Sequence, residues 1–337
     1  MKKRSSTNLP ASVHQRLLNR ARETRQRFSN LLQHFAMERF LYRLSRSEYA
    51  DRFVLKGALM LTVWHVPQSR PTMDIDLLGR TENSVDETVA LMQAVCRQEV
   101  EPDGITFDAD TVVGERIAEE AAYEGVRLRF RGSLGNAAVT MQIDIGFGDI
   151  VIPAAKVVEY PSLLDFPAPR LRGYSRESAV AEKFHVMTRR GLLTSRMKDF
   201  FDVWLLSRHF DFDGDTLAEA IGATFARRNT AMDRAPKILS PFFAEEVTKT
   251  TQWRAFLHRS QLTDTPQSLA EVVAHLAAFL GPVAEALSER RLFQMRWKAP
   301  GPWALLPEHD NRPDRAGGRS RLPPDSGPGR AEAGSDT

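Results

Sequence analysis

Apolar residues between positions 13 and 44 recur at helical spacing: Val13, Leu17 and Leu18, then Phe28, Leu31, Leu32 and Phe35, then Phe40, Leu41 and Leu44. This spacing predicts amphipathic helices with basic outer faces. The period then changes. Residues 53–65 are apolar except for Lys56-Gly57, Pro67 and Pro71 punctuate a turn, and residues 72–78 alternate carboxylate with aliphatic as a strand does. A helix is predicted over 85–99. Two strands are predicted over 126–131 and 137–145, around the turn Gly132-Ser133-Leu134-Gly135-Asn136. Residues 153–169 read as a proline-punctuated connector, 177–190 and 198–209 as helices, and the chain to about Phe293 as mostly helical. From Ala299 the composition turns to Pro, Gly, Arg, Asp and Ser, the signature of a disordered tail. The organisation expected is a basic helical segment (1–48), an α/β core (49–170), a helical region (171–295) and a tail (299–337).

Composition narrows what such a chain does. With 42% hydrophobic residues over 337 positions it buries a sizeable core. Its 46 Lys and Arg nearly balance 43 Asp and Glu, which excludes a general polycation. The balance is uneven along the chain: residues 1–48 hold 11 basic and 3 acidic residues, and the remainder is net acidic. A single cysteine, Cys96, excludes an internal disulfide and a thiolate zinc cluster and suits a reducing, cytoplasmic setting. The Arg-rich, acid-poor start also shares its composition with a transit peptide. The charge-free stretch 272–284 contains His275, Gly281 and Pro282 and is shorter than the roughly 18 apolar residues of a membrane span, so no membrane is expected.

The candidate chemistry lies in carboxylates. In Asp74-Ile75-Asp76-Leu77 the two acids share one face of a strand while Ile75 and Leu77 enter the core. Two carboxylates held so close repel unless a cation lies between them, and a hard, oxygen-seeking ion such as Mg²⁺ or Mn²⁺ suits them. Asp144, between Ile143 and Ile145, is a third carboxylate in an otherwise core-forming strand, costly unless paired or metal-bound. If the two strands are neighbours, Asp74, Asp76 and Asp144 make a metal site suited to in-line phosphoryl chemistry. Lys56-Gly57-Ala58, after a short apolar run, offers a phosphate loop at a helix start. Arg70 neutralises either the acids or a triphosphate. Arg189, Arg190, Arg196 and Lys198 form a basic patch beside Lys183 that suits an RNA backbone. Asp199 and Asp202 share one helical face, Asp199 well placed to complement the helix dipole. His185 reads as an ordinary helix residue, and Asp149, after Gly146 and Gly148, as a turn former.

In order, Lys56-Gly57-Ala58, the run from Arg70 to Gly79, Gln142-Ile143-Asp144-Ile145-Gly146, Ala181-Glu182-Lys183 and the run from Ser195 to Asp202 resemble the AbiEii/AbiGii toxin family of nucleotidyltransferases. The resemblance spans about residues 25–260. It implies an α+β fold with a polymerase-β-like nucleotidyltransferase core: a small mixed sheet flanked by N-terminal helices and a C-terminal helical region. By position it makes Asp74, Asp76 and Asp144 the metal ligands, Gly57 the phosphate-loop glycine, Lys183 the family's lysine and Asp202 the acid of the last motif, with Asp199 as the other candidate and a substrate-binding residue. It also implies a nucleoside triphosphate substrate, a toxin of a type IV toxin–antitoxin system with a cognate AbiEi-like antitoxin, and a tRNA 3′ end as acceptor. Ala58 departs from the hydroxyl residue usual at that point of the superfamily's loop. Alternatives are nucleotidylation of a protein Ser, Thr or Tyr, a binding or regulatory module of the same fold, and a metal-dependent nuclease.

Overall fold

The N-terminal helices confirm the helical period but not its partition. In the computed structural model, which describes residues 8–67, 70–118, 124–262 and 265–305, α1 (Leu9–Thr24) starts where the Asn8 side chain accepts the Ala11 amide. Helix α2 (Phe28–Arg46) is buried along nearly its whole length, with Phe35, Phe40 and Leu41 at 0% exposure. Arg39 and Arg43 are therefore internal, and Arg46 at its C-terminal end is exposed. Arg39 lies 2.7 Å from Glu38, and Arg43 grips Asp103 through bonds of 2.7 and 3.1 Å. The expected basic outer face is present on α1 alone, and α1 and α2 share one core with the sheet.

The sheet is larger than the sequence pattern predicts. Strands β1 (Phe53–Lys56) and β2 (Ile75–Gly79), separated by the short helix α3 (Leu59–Val63), are followed by helix α4 (Val85–Arg97). Then come β3 (Ile105–Ala118), β4 (Glu124–Leu134), β5 (Ala137–Phe147), β6 (Lys156–Glu159) and β7 (Arg170–Gly173). Their order is β3-β4-β5-β2-β1-β7-β6, and the sheet is mixed: β2 runs parallel to β5 and β1 to β7, while the other neighbours are antiparallel. The 153–169 connector thus contains β6 and leads into β7. Ile75, Leu77, Ile143 and Ile145, all at 0% exposure, fix which face is core, because a strand's side chains alternate. Phe40 packs 5.5 Å from Phe107 and 5.1 Å from Phe130, tying α2 to that face.

A second core lies among the later helices: α5 (Arg176–Arg190), α6 (Met197–His209), α7 (Gly214–Arg227), α8 (Pro241–Glu245), α9 (Val247–Ser260) and α10 (Leu269–Ser288). A small antiparallel sheet closes it, made by β8 (Phe212–Asp213), β9 (Met295–Trp297) and β10 (Trp303–Leu305). Residues 303–305, assigned to a disordered tail by composition, are held by this pairing and by the Trp303 indole, which donates to the Phe279 carbonyl at 2.8 Å. The rest of the expected tail, 306–337, and Lys2, Lys3 and Arg4 lie outside the described residues. By length and apolar composition α10 is one candidate membrane span, yet Val272, Leu276, Phe279, Leu280 and Val283 along it are at 0% exposure inside the helical core.

Candidate active site

β2 and β5 bring the predicted acids together. Asp76 and Asp144 are register partners across the parallel β2–β5 pair, so their side chains leave the same face of the sheet, and Asp74 stands just before β2. All three line a cleft of about 820 Å³ between the sheet and the helical region, with Lys56, Gly57, Ala58, Arg70, Lys183, Arg196, Lys198 and Asp199 also on its walls. Burial raises the pKa of Asp74, and the neighbouring Asp144 carboxylate raises it further. Such crowding of hard oxygen donors fits a divalent ion. Among the described residues, no three His, Cys, Asp or Glu side chains already converge at metal-holding distance.

Gly57 lies against this pair. Its φ of +72° belongs to the left-handed region, and a Cβ there would stand 2.0 Å from Asp76 Oδ2. Only glycine lets β1 end so close to the carboxylate. Gly57→Ala is therefore expected to displace Asp76 and to lower activity at least tenfold while costing about 1–2 kcal/mol of stability, the scale of a strained backbone position. Denaturant unfolding beside a transfer assay checks both. Ala58 is buried and contributes no hydroxyl to the cleft.

Asp144 has a partner that the sequence did not suggest. Arg127 on β4, its register neighbour, donates from Nε at 2.8 Å and from Nη2 at 2.7 Å to the two carboxylate oxygens. The signal was only an Arg in an alternating strand, common on any solvated sheet face.

The helical wall is built by a second ion network. Lys183 on α5 lies 2.7 Å from Asp202 and 3.3 Å from Asp199, both on α6. Arg70 clamps Asp202 with two bonds of 2.9 Å, and the Arg196 Nε donates to Asp199 at 2.5 Å. Asp202 is fully buried; burial alone would raise its pKa, but Arg70 and Lys183 outweigh it and hold it down at about 2. Asp199, also buried, is held low in the same way by Lys183 and Arg196. Asp202 lies behind the cleft wall and has both oxygens engaged. Lys198 is exposed on the cleft wall near Asp74; partial desolvation by that wall lowers its pKa, and the neighbouring Arg196 and Arg70 lower it further. An anion placed there relieves that crowding.

A third network anchors the Lys56-Gly57 turn from behind. Lys56 Nζ lies 2.9 Å from Asp149 and 3.4 Å from Glu182, Arg228 donates to Asp149 at 2.8 Å, and the Tyr174 hydroxyl donates to Glu182 at 2.7 Å. Asp149, expected to shape a turn, is thus a buried ion partner, and Lys56 directs its charge inward. Burial pushes Glu182 up to about 7 against the pull of Lys56. His185 is buried on α5 and bonded to Thr230, in keeping with a structural helix residue. Arg190 joins the cleft lining, whereas Arg189 is not among its residues.

An acid pair on a mixed sheet, facing a basic helical wall across a cleft, is the site of a phosphoryl-transfer enzyme in chemical outline. The chain belongs to the family of nucleotidyl transferase AbiEii toxins of type IV toxin–antitoxin systems, whose sequence model matches residues 39–275. It is accordingly a nucleotidyltransferase of that toxin family, which implies a nucleoside triphosphate substrate, a divalent metal and an antitoxin partner. A search of the curated proteins finds no match. Among solved structures, JHP933 from Helicobacter pylori is 15% identical, with 77% of this chain and 92% of that one covered and a TM-score of 0.41. A candidate nucleotidyltransferase from H. pylori is also 15% identical, with 77% and 95% covered and a TM-score of 0.39.

Proposed function

We propose that this enzyme transfers a nucleotide from a nucleoside triphosphate to an RNA 3′ end, tRNA being the expected acceptor, with release of pyrophosphate, on a polymerase-β-like core and in the cytoplasm. The observation that carries the reading is the register of Asp76 with Asp144 across β2 and β5, which sets two carboxylates on one face at the cleft with Asp74 beside them. Asp74, Asp76 and Asp144 would hold the divalent ion, Mg²⁺ or Mn²⁺; when bound, it supplies charge neutralisation at the α-phosphate and acidifies the attacking hydroxyl. The chain's own residues do the rest. Gly57 leaves room for the Asp76 carboxylate, and Gly57 and Ala58 line the cleft where the polyphosphate would lie. Lys198, with Arg196 and Lys183 near it, draws the leaving phosphates. Asp144 accepts the proton of the acceptor hydroxyl. Asp202 acts as an anchor that orients Lys183 and Arg70, since both its oxygens are taken by them and it does not line the cleft.

RNA is favoured as acceptor by the cationic wall of Arg190, Arg196 and Lys198, suited to a phosphate backbone. A protein hydroxyl needs no such wall. The full chain, incubated with Mg²⁺, each α-labelled nucleoside triphosphate in turn and either total RNA or total protein, is expected to label the RNA pool. Labelling of the protein pool alone would assign the acceptor to Ser, Thr or Tyr instead. An AbiEi-like antitoxin encoded alongside is the expected partner.

A further inference from the structure

Arg127 is well placed to do more than decorate a strand. Its guanidinium forks onto both oxygens of Asp144 at 2.8 and 2.7 Å, the planar two-point geometry that makes such pairs strong. Its charge also acts on Asp74, so a single cation serves two carboxylates of the set that, on the reading above, holds the divalent ion. The pair is accessible. The Arg127 side chain is 30% exposed and Asp144 13%, against 11% and 0% for Arg70 and Asp202 in the buried clamp. Arg127 can therefore swing away on its own stem into the cleft without opening the core, and polyphosphate is the anion that the cleft would offer it. The nearby acid, Glu115, is already taken by Arg129 at 2.7 Å.

We propose that Arg127 is a displaceable counter-cation: it holds Asp144 before the divalent ion binds, yields that carboxylate to the ion, and then turns to the polyphosphate. The inference rests on the metal site assigned to Asp74, Asp76 and Asp144. The fork takes one lone pair on each oxygen of Asp144, so an ion that ligates the carboxylate from the side Arg127 occupies competes with it for Asp144. Removing the competitor tightens ion binding, and removing a phosphate contact weakens nucleotide binding. The two effects have opposite signs, which a merely structural arginine would not produce.

The test uses the full chain and two probes: Mn²⁺ alone, and an α,β-methylene nucleoside triphosphate in saturating Mn²⁺, each titrated calorimetrically against wild type, Arg127→Gln, Arg127→Lys and Asp76→Asn. In Arg127→Gln, Mn²⁺ should bind about tenfold tighter and the nucleotide analogue about tenfold weaker, the scale of one charge-assisted contact. Arg127→Lys keeps the charge and loses the fork, so its Mn²⁺ affinity should fall between the two. Thermal melts of each variant establish that the protein is folded, and Arg127→Lys carries the comparison if the glutamine variant is not. Mn²⁺ affinity unchanged or weakened by loss of the fork overturns the proposal, as does a loss of both affinities together. If Asp76→Asn abolishes Mn²⁺ binding while the Arg127 variants leave it unaltered, the metal site stands and the counter-cation role alone fails. If Asp76→Asn binds Mn²⁺ as wild type does, the metal assignment is wrong and the role of Arg127 falls with it.

Discussion

Asp76→Asn abolishes nucleotide transfer and growth inhibition together, with transfer reduced on the order of 10³-fold or more, the scale expected when a charge-stabilising group at the reacting centre is lost. The substitution keeps size and shape, removes the charge and exchanges one acceptor oxygen for an amide donor. Asp76 sits between two constraints: Gly57, which leaves it room, and Asp144, its register partner. Neither depends on the Asp76 charge, so the fold should survive and circular dichroism should match wild type. The measurement is transfer of α-labelled nucleotide by purified protein, beside growth of cells expressing each form. Toxicity that persists in Asp76→Asn would detach the toxin activity from this cleft.

Asp202→Ala is expected to destabilise the protein by about 3–5 kcal/mol, because it leaves two cations, Arg70 and Lys183, without their buried partner. Asp202→Asn tests the same clamp through pH. The folded-state pKa of about 2 lies below the ordinary value of 3.8, so the ionised form stabilises the fold. That contribution, roughly 2 kcal/mol, is fully present above the unfolded value and is lost as the pH falls through about 2. In urea unfolding, the deficit of Asp202→Asn relative to wild type should therefore be largest near neutral pH and shrink by about that amount on acidification toward pH 2. A deficit independent of pH would mean that the carboxylate's charge is not what the clamp uses. Transfer activity should also fall in this variant, since Lys183 loses its orientation.

The acidic face of the sheet was legible in the sequence because its logic is local. Asp74 and Asp76 at a spacing of two, with Ile75 and Leu77 between and after them, state both the strand and the face. Asp144 between Ile143 and Ile145 does the same, and β5 needed only to lie beside β2. Helix α2 was legible as a helix but not as a buried one, because Arg39 and Arg43 look like surface residues until Glu38 and Asp103 are seen beside them. Strand β3 carries its alternation in Ile105, Phe107 and Ala109, yet no strand is predicted there, because Asp108 and Asp110 interrupt the apolar signal. β6 and β7 are four residues each and exist through pairing with each other and with β1, which no local pattern records. The same holds for Arg127, Asp149 and the clamp on Asp202. Their chemistry is made by partners distant in the chain, so sequence spacing places the residues without placing the charges.

This cleft should transfer the nucleotide with its α-phosphate and expel pyrophosphate. The most direct measurement incubates the full chain and RNA with Mg²⁺ and a nucleoside triphosphate labelled either at the α- or at the γ-phosphate, and follows both RNA-bound label and released pyrophosphate. The expected result is α-label on the RNA, no γ-label on it, and one pyrophosphate released for each nucleotide added, all lost in Asp76→Asn. RNA that gains γ-label, or that is cleaved without any nucleotide being consumed, would contradict it.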